Sequence, residues 1–503
     1  MRVILWLSIV LATGLYIMLP VDDPDLWWHI TVGRWMWAHG EIPTVDHWNM
    51  FGAGKPWRAY SWLIELLFAL VDRHLGIYGL LGLKALIAVM LSASLFYCFG
   101  RLARDWFFGG MLGMFATAAC FNHFTLRPQA LTWIYFTWLI YTLDAVEREG
   151  LGRRRAAALF VIFCLWANTH LTTVLGVLTV AAWLAAPGRL KLAAGALGVS
   201  IAGTLCTPYL GGEWLTFFKK SGHPFSHSAI AEFQPATILQ YSTAFLVVIG
   251  VLLLLLVHFR PKAVSPGKLL LCLLFTLGAL AVVKFLPAAV IVICAVIAVF
   301  WSREEERAAF GGLAEGVARL HAAFEWLPKE GLAFAVLCIA LYNIYPHWQR
   351  PRGHQATPVL PVEFIVQQKL PHPILNSFGQ GGYMMYSFSD AAGNLQHRVP
   401  IDGRTNVNPP EVWKKYYTAM RGMPGWRAYL ELVNPGTILW KNESPLTTIL
   451  LEDPGWCRVF VYGDSEQGYS VFVQRSWLDA HGAELSSDDC GVKSHDHSPA
   501  REE

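Results

Sequence analysis

Long apolar runs alternate with short polar connections over most of the chain, a pattern that predicts a bundle of membrane-spanning helices. A span needs roughly 17 to 25 mostly apolar residues. Runs approaching that length start at 2–19 and recur at 76–100, 106–123, 128–146, 155–169, 171–187, 190–207, 238–258, 267–283, 285–301 and 330–346. They predict about 11 spans, with 155–187 read as a hairpin turning at Asn168-Thr169-His170. The first run carries one charge, Arg2, and no small-x-small cleavage pattern precedes Asp22, so it is expected to remain as an anchor. Residues 1–346 thus read as a transmembrane domain with two long loops, 20–75 and 208–237.

The pattern changes after residue 346. Strand-like runs at Pro373–Phe378, Arg398–Asp402, Thr437–Trp440, Cys457–Val461 and Tyr469–Gln474 alternate with helical stretches. They predict a small α/β domain over 347–478, with an open, partly parallel sheet ending in a hairpin. Residues 479–503 are polar and rich in His, Asp and Ser; the expectation is a disordered tail, where His495 and His497 offer weak metal affinity at most.

Composition agrees with the membrane reading. The chain is 54% hydrophobic but 15% charged, against about a quarter charged in soluble domains. Its 22 Trp and 17 Tyr suit two membrane–water interfaces. Net charge near +3 says little by itself about partners; the lipid bilayer is one, and no nucleic acid is expected. Most of the nine Cys lie in apolar runs as small buried thiols, whereas Cys457 and Cys490 fall outside them and are candidates for a disulfide.

Lys and Arg set the orientation. With the amino terminus inside, the cytoplasmic connections hold sixteen of them, including Arg148, Arg153, Arg154 and Arg155, while the short outer connections hold only Arg127 and Lys284. The expectation is a cytoplasmic amino terminus and an extracytoplasmic 347–478 domain.

Chemistry is expected on that outer face. Asp22-Asp23-Pro24-Asp25-Leu26-Trp27-Trp28-His29 gathers three acids and an imidazole beside the first span, an expensive place for charge. Asp23-Pro24 reads as a helix start and Gly40 as its stop. On that helix Asp25 and His29 share a face and form the favoured functional pair, with Asp23 as the cap. Trp62–Leu75 is a second apolar segment of the same loop. Between the two, Lys55 and Arg58 could meet a lipid phosphate or snorkel toward headgroups. Asn122, Arg127, Asn168, His170, Glu232 and Lys284 sit at other outer ends, the mix needed to deprotonate an acceptor, hold a metal or grip an anion.

Asp25-Leu26-Trp27-Trp28-His29, Gly33-Arg34-Trp35, Pro56-Trp57 and Trp62-Leu63 resemble the first outer loop of a bacterial family of GT-C-type membrane glycosyltransferases, related to the protein mannosyltransferases and oligosaccharyltransferases. The resemblance continues through Leu126-Arg127-Pro128-Gln129, Trp166-Ala167-Asn168-Thr169-His170, Thr207-Pro208-Tyr209, Ile230-Ala231-Glu232-Phe233-Gln234-Pro235, Asn376-Ser377, Gly381-Gly382-Tyr383 and Ile401-Asp402-Gly403-Arg404. It implies a GT-C-like fold in a bacterial inner membrane and transfer of a sugar from a polyprenyl-phosphate-linked donor to an acceptor outside the cytoplasm. By the same resemblance Asp25, then Asp23, is the catalytic base or a ligand of a divalent metal (Mg or Mn), and His29 orients the acceptor. Arg127, Lys284 or Arg58 would bind the donor phosphate, Asn168 and His170 would line the cavity, and Glu232 would orient acceptor or metal. Two positions depart from the pattern: Ser61 stands where relatives carry an acid, and Lys284 where they carry Arg.

Two other functions fit the same residues. A membrane-anchored assembly or polysaccharide-binding protein could use Ile401-Asp402-Gly403-Arg404 as a binding turn. A lipid-linked glycan transporter fits less well, since internal repeats and broken helices at mid-membrane are not evident.

Overall fold

The computed structural model describes residues 2–221, 231–237, 239–308, 311–352, 357–463 and 468–481. Cys490, His495, His497 and the expected disordered tail from 482 on lie outside the described residues; Cys457 is buried and disulfide-bonded. The chain forms two compact units. One comprises Met1–Val21, Tyr60–Ile64 and Val71–Pro351; the other comprises Asp22–Ala59, Glu65–Leu70 and the chain from Arg352 on. Most of residues 20–75 therefore belong with the C-terminal region.

The first unit is helical. Four helices that fall wholly or partly in it are long and apolar enough to cross a membrane: Trp62–Ala103, Tyr241–Phe259, the segment Val283–Trp301 and Lys329–Gln349. Five more apolar helices are shorter, among them Trp106–Ala119, Leu190–Thr204 and Pro266–Ala281. At 1.5 Å per residue, 14 to 16 residues rise only about 21 to 24 Å, short of a hydrocarbon core of about 30 Å. Among the described residues four helices are thus long and apolar enough to span, and the expected count of about 11 is not shown. Gly76 breaks the 42-residue helix Trp62–Ala103 with φ 58° and ψ −152°, where the apolar run was expected to begin.

Leu286–Trp301 is the core of this unit. It is apolar on every side (LPAAVIVICAVIAVFW), so no face can be left to water, and all but one of its residues are described as buried, Ala288 being partly so. Gly267 lets its helix approach closely, since a Cβ there would lie 2.1 Å from the Ala182 carbonyl oxygen. Asp105 caps Trp106–Ala119 through the amides of Phe107 and Phe108 and accepts the Trp301 indole N–H at 3.1 Å. The turn at 168–172 joins helices Arg153–Ala167 and Thr173–Trp183, as the hairpin reading expected.

The second unit contains helix Leu26–His39 and a four-stranded sheet: β1 (Ile374–Asn376), β2 (Thr437–Lys441), β3 (Trp456–Tyr462) and β4 (Tyr469–Gln474), in the order β1-β2-β4-β3. β1 pairs parallel with β2; β4 runs antiparallel to both β2 and β3. The expected run Arg398–Asp402 is not a strand of this sheet. Its Val399 instead exchanges backbone hydrogen bonds with the first loop, donating to Trp48 O at 3.0 Å and accepting from Met50 N at 2.9 Å.

Candidate functional site

In the first unit three of the expected outer-end residues meet. Arg127 precedes helix Gln129–Glu149, and Pro128 at the N-cap fixes the exit of the chain. Lys284 sits in the single turn Val283–Phe285, ahead of Leu286–Trp301. Glu232 lies on the short turn Ala231–Phe233, and this segment is stitched to the Lys284 turn by two backbone bonds, Val283 N to Gln234 O (3.0 Å) and Ala236 N to Leu280 O (3.1 Å). Arg127 Nη1 donates to Glu232 Oε1 at 2.5 Å, and Lys284 Nζ donates to Glu232 Oε2 at 3.2 Å. Burial alone would raise the Glu232 pKa, but the Arg127 and Lys284 cations bring it down to about 2. Two cations on one ionised carboxylate leave the cluster one positive charge in excess.

Lys284 also lines a cleft in this unit. Its walls are mostly aromatic and aliphatic, with Trp133, Phe136, Trp166, Phe217, Phe233, Phe275 and Phe285 among them, and its polar lining includes Tyr60, Gln129, Thr132, His170 and Thr172. Among the described lining residues, Lys284 alone is a lysine or arginine, and none is an acid. His170 Nδ1 accepts the Thr172 amide at 3.2 Å, which leaves the ring proton of a neutral imidazole on Nε2. A deep apolar groove with one cation suits a ligand that is a long hydrocarbon ending in an anion.

Asn168 has a different place. Its Oδ1 accepts the Trp62 indole N–H at 2.7 Å, and its Nδ2 donates to the carbonyls of Cys164 and Cys206, each at 2.8 Å. It staples three segments together and does not line the cleft.

Asp23, Asp25, His29 and Arg58 belong to the second unit. The helix begins two residues later than expected: Leu26 is its first residue, Asp25 occupies the N-cap, and Gly40 ends it in the left-handed region (φ 69°). Asp23 is buried and accepts the Asp25 amide at 2.8 Å, so it shapes the approach to the helix and is not its N-cap. Asp25 makes no side-chain cap bond, although an ionised carboxylate there gains from the helix dipole. His29 is buried, lies tilted against the Trp28 ring and places Nδ1 2.8 Å from Glu65 Oε1. Glu65 went unrecognised in the sequence; its signal was an acid set among apolar residues in the run Trp62–Leu75, which holds one other acid, Asp72. Its second oxygen, Oε2, is buried with no hydrogen-bond partner.

The turn Ile401–Arg404 is buried as well. Arg404 Nε and Nη2 reach the two oxygens of Asp402 at 2.8 and 2.9 Å, and Nη1 reaches Asp46 Oδ1 at 2.6 Å. Trp57, Trp48 and Trp28 surround the guanidinium at 4.8, 5.4 and 6.0 Å. Burial alone would lower the Arg404 pKa, but Asp402 and Asp46 raise it, so the charge is kept. Asn49 completes the clasp by donating to Asp402 at 3.1 Å and accepting the amides of Phe51 and Gly52. With Asp402 and Arg404 at 1% exposure or less, an exposed binding turn is not what these residues form.

Among the described residues no three His, Cys, Asp or Glu side chains gather as a metal-binding group. Asp23 spends one carboxylate oxygen on the Asp25 amide.

No family model matches the chain, and no curated protein does. Two solved structures, both of the arabinofuranosyltransferase AftD from Mycobacteria and one of them a mutant form, are similar to it. Their TM-scores are 0.49 and 0.46, at 15% and 14% identity. Each match covers 94% of this chain but only 41% and 39% of the other, so the chain spans about two fifths of the length of the structures it matches.

Proposed function

We propose that this protein is a membrane glycosyltransferase that takes a sugar from a polyprenyl-phosphate carrier and passes it to an acceptor on the extracytoplasmic side of a bacterial inner membrane. The observation that carries the reading is the apolar cleft with Lys284 at its wall, backed by Glu232 and Arg127. A polyprenyl chain gains about 0.8 kcal/mol for each buried methylene-sized group, so the aromatic walls supply affinity and the cation fixes the headgroup. As the carrier leaves, negative charge develops on its phosphate, and Lys284 is held ready to stabilise it. Glu232 directs that ammonium, at 3.2 Å, without neutralising the whole cluster. The transfer chemistry and the role of Asp25 as base on the acceptor hydroxyl come from the family resemblance and are tested apart from the cleft.

The test uses full-length protein in phospholipid vesicles with a photoreactive undecaprenyl phosphate. Wild type should crosslink within the cleft, and Lys284→Ala should weaken binding roughly 10- to 150-fold, the loss of one charge-assisted hydrogen bond of about 1.5 to 3 kcal/mol. Equal binding by the variant overturns the donor site. With a panel of polyprenyl-phosphate sugars, Asp25→Asn should abolish transfer while the protein still inserts and accumulates; full activity in that variant removes the base.

A further inference from the structure

We propose that Gly403 and Gly382, set in the buried C-terminal motifs, are positioning residues that fix where the Asp25 carboxylate points. The proposal rests on the reading of Asp25 as base and adds what holds that base in place. Asp25 occupies the N-cap of helix Leu26–His39. The backbone of Gly403 presses against its side chain. A Cβ on Gly403 would lie 1.9 Å from Asp25 Oδ1, 3.0 Å from its Cγ and 3.1 Å from Trp28 Nε1. Gly403 is outside the left-handed region, so glycine is needed there for room and not for conformation. Gly382 does the same one residue earlier: a Cβ would lie 2.4 Å from the Pro24 carbonyl oxygen. Neighbouring Gly381 seats the turn itself, with a Cβ 2.0 Å from Ile401 O.

This surface cannot readily give way. Asn376 Nδ2 holds Ile401 O at 2.8 Å, and the Asp402–Arg404–Asp46 clasp fixes the residues on either side of Gly403. Asp25 is therefore flanked by backbone, which has no rotamer to relax into. An added methyl at 403 must move the carboxylate. A catalytic group displaced by about 1 Å can lose on the order of 100-fold in rate.

The test is a double-mutant cycle on the full-length protein, read two ways. Thermal unfolding in detergent should show a lower Tm for Gly403→Ala and a partial recovery when Asp25→Ala is added, since the clash is with the carboxylate. Additive Tm shifts overturn the contact. In the transfer assay Gly403→Ala should lower kcat about 100-fold with the donor KM within about twofold. A Gly403→Ala enzyme with wild-type kcat, beside an inactive Asp25→Asn, overturns the positioning role. If Gly403→Ala does not accumulate, rescue of accumulation by Asp25→Ala reads the same contact, and failure of rescue overturns it. If Asp25→Asn proves fully active, the base reading falls, whereas the Tm coupling still decides whether Gly403 sets the side chain.

Discussion

Arg404→Leu removes the centre of the most deeply buried charge cluster among the described residues. The guanidinium makes three charge-assisted bonds, at 2.6, 2.8 and 2.9 Å, and its side chain and those of both aspartates are 1% exposed or less. Solvent therefore provides no screening, and the leucine leaves two carboxylates buried without their cation. Breaking such a cluster from one side costs about 3 to 5 kcal/mol. At about 1.4 kcal/mol per factor of ten, the locally opened form becomes roughly 150- to 4000-fold more populated. The amides that report it are known: Asn49 N bonds to Asp46 Oδ2, and Phe51 N and Gly52 N bond to Asn49 Oδ1. Hydrogen exchange of the peptide spanning residues 45 to 54 in full-length protein should accelerate by that factor. Arg404→Lys should fall between the two, because a single ammonium keeps the charge but cannot form the fork. Exchange within about threefold of wild type in the leucine variant would refute the clasp as the element that holds this loop, since it corresponds to less than 1 kcal/mol.

Two further outcomes follow from the first unit. Asn168→Ala should lower stability by about 1 to 3 kcal/mol, since it strands the Trp62 indole N–H and the Cys206 carbonyl, while leaving undecaprenyl-phosphate binding unchanged; a selective loss of binding would return Asn168 to the cavity. Glu232 should stay ionised far below the ordinary carboxylate range. Its folded value of about 2 lies below the usual 4.5, so the Arg127–Glu232–Lys284 cluster stabilises the fold fully above about pH 4.5 and loses that contribution as the pH falls toward 2. Infrared difference spectra of wild type against Glu232→Gln would show it, and a carboxylate protonating at 4.5 or above would contradict it.

What could be read along the chain was mostly local. Gly40 stopped the helix, Gly76 marked the start of an apolar run, and alternation located four of the five strand-like segments. The fifth, Arg398–Asp402, has strand character but spends it on Trp48 and Met50, a pairing across about 350 residues that no local pattern reveals. The Ile401-Asp402-Gly403-Arg404 motif could be read as a binding turn for the same reason: its acid, cation and glycine each answer to residues of the first loop. Likewise the four-residue spacing of Asp25 and His29 was correct as helix geometry, but the partner seen for His29 Nδ1 is Glu65, 36 residues on. Arg127, Glu232 and Lys284 were each visible as isolated polar residues between apolar runs, and only folding brought them to one point.

The span of the Asp46–Arg404 bond also sets a schedule. Its two ends are 358 residues apart. At a synthesis rate of about 5 to 20 residues per second, Asp46 emerges roughly 20 to 70 s before the cation that will hold it. Throughout that interval Trp28, Trp48 and Trp57 have no guanidinium to surround, and the chain is threading its apolar helices. The first loop is thus among the first segments made and among the last to be completed.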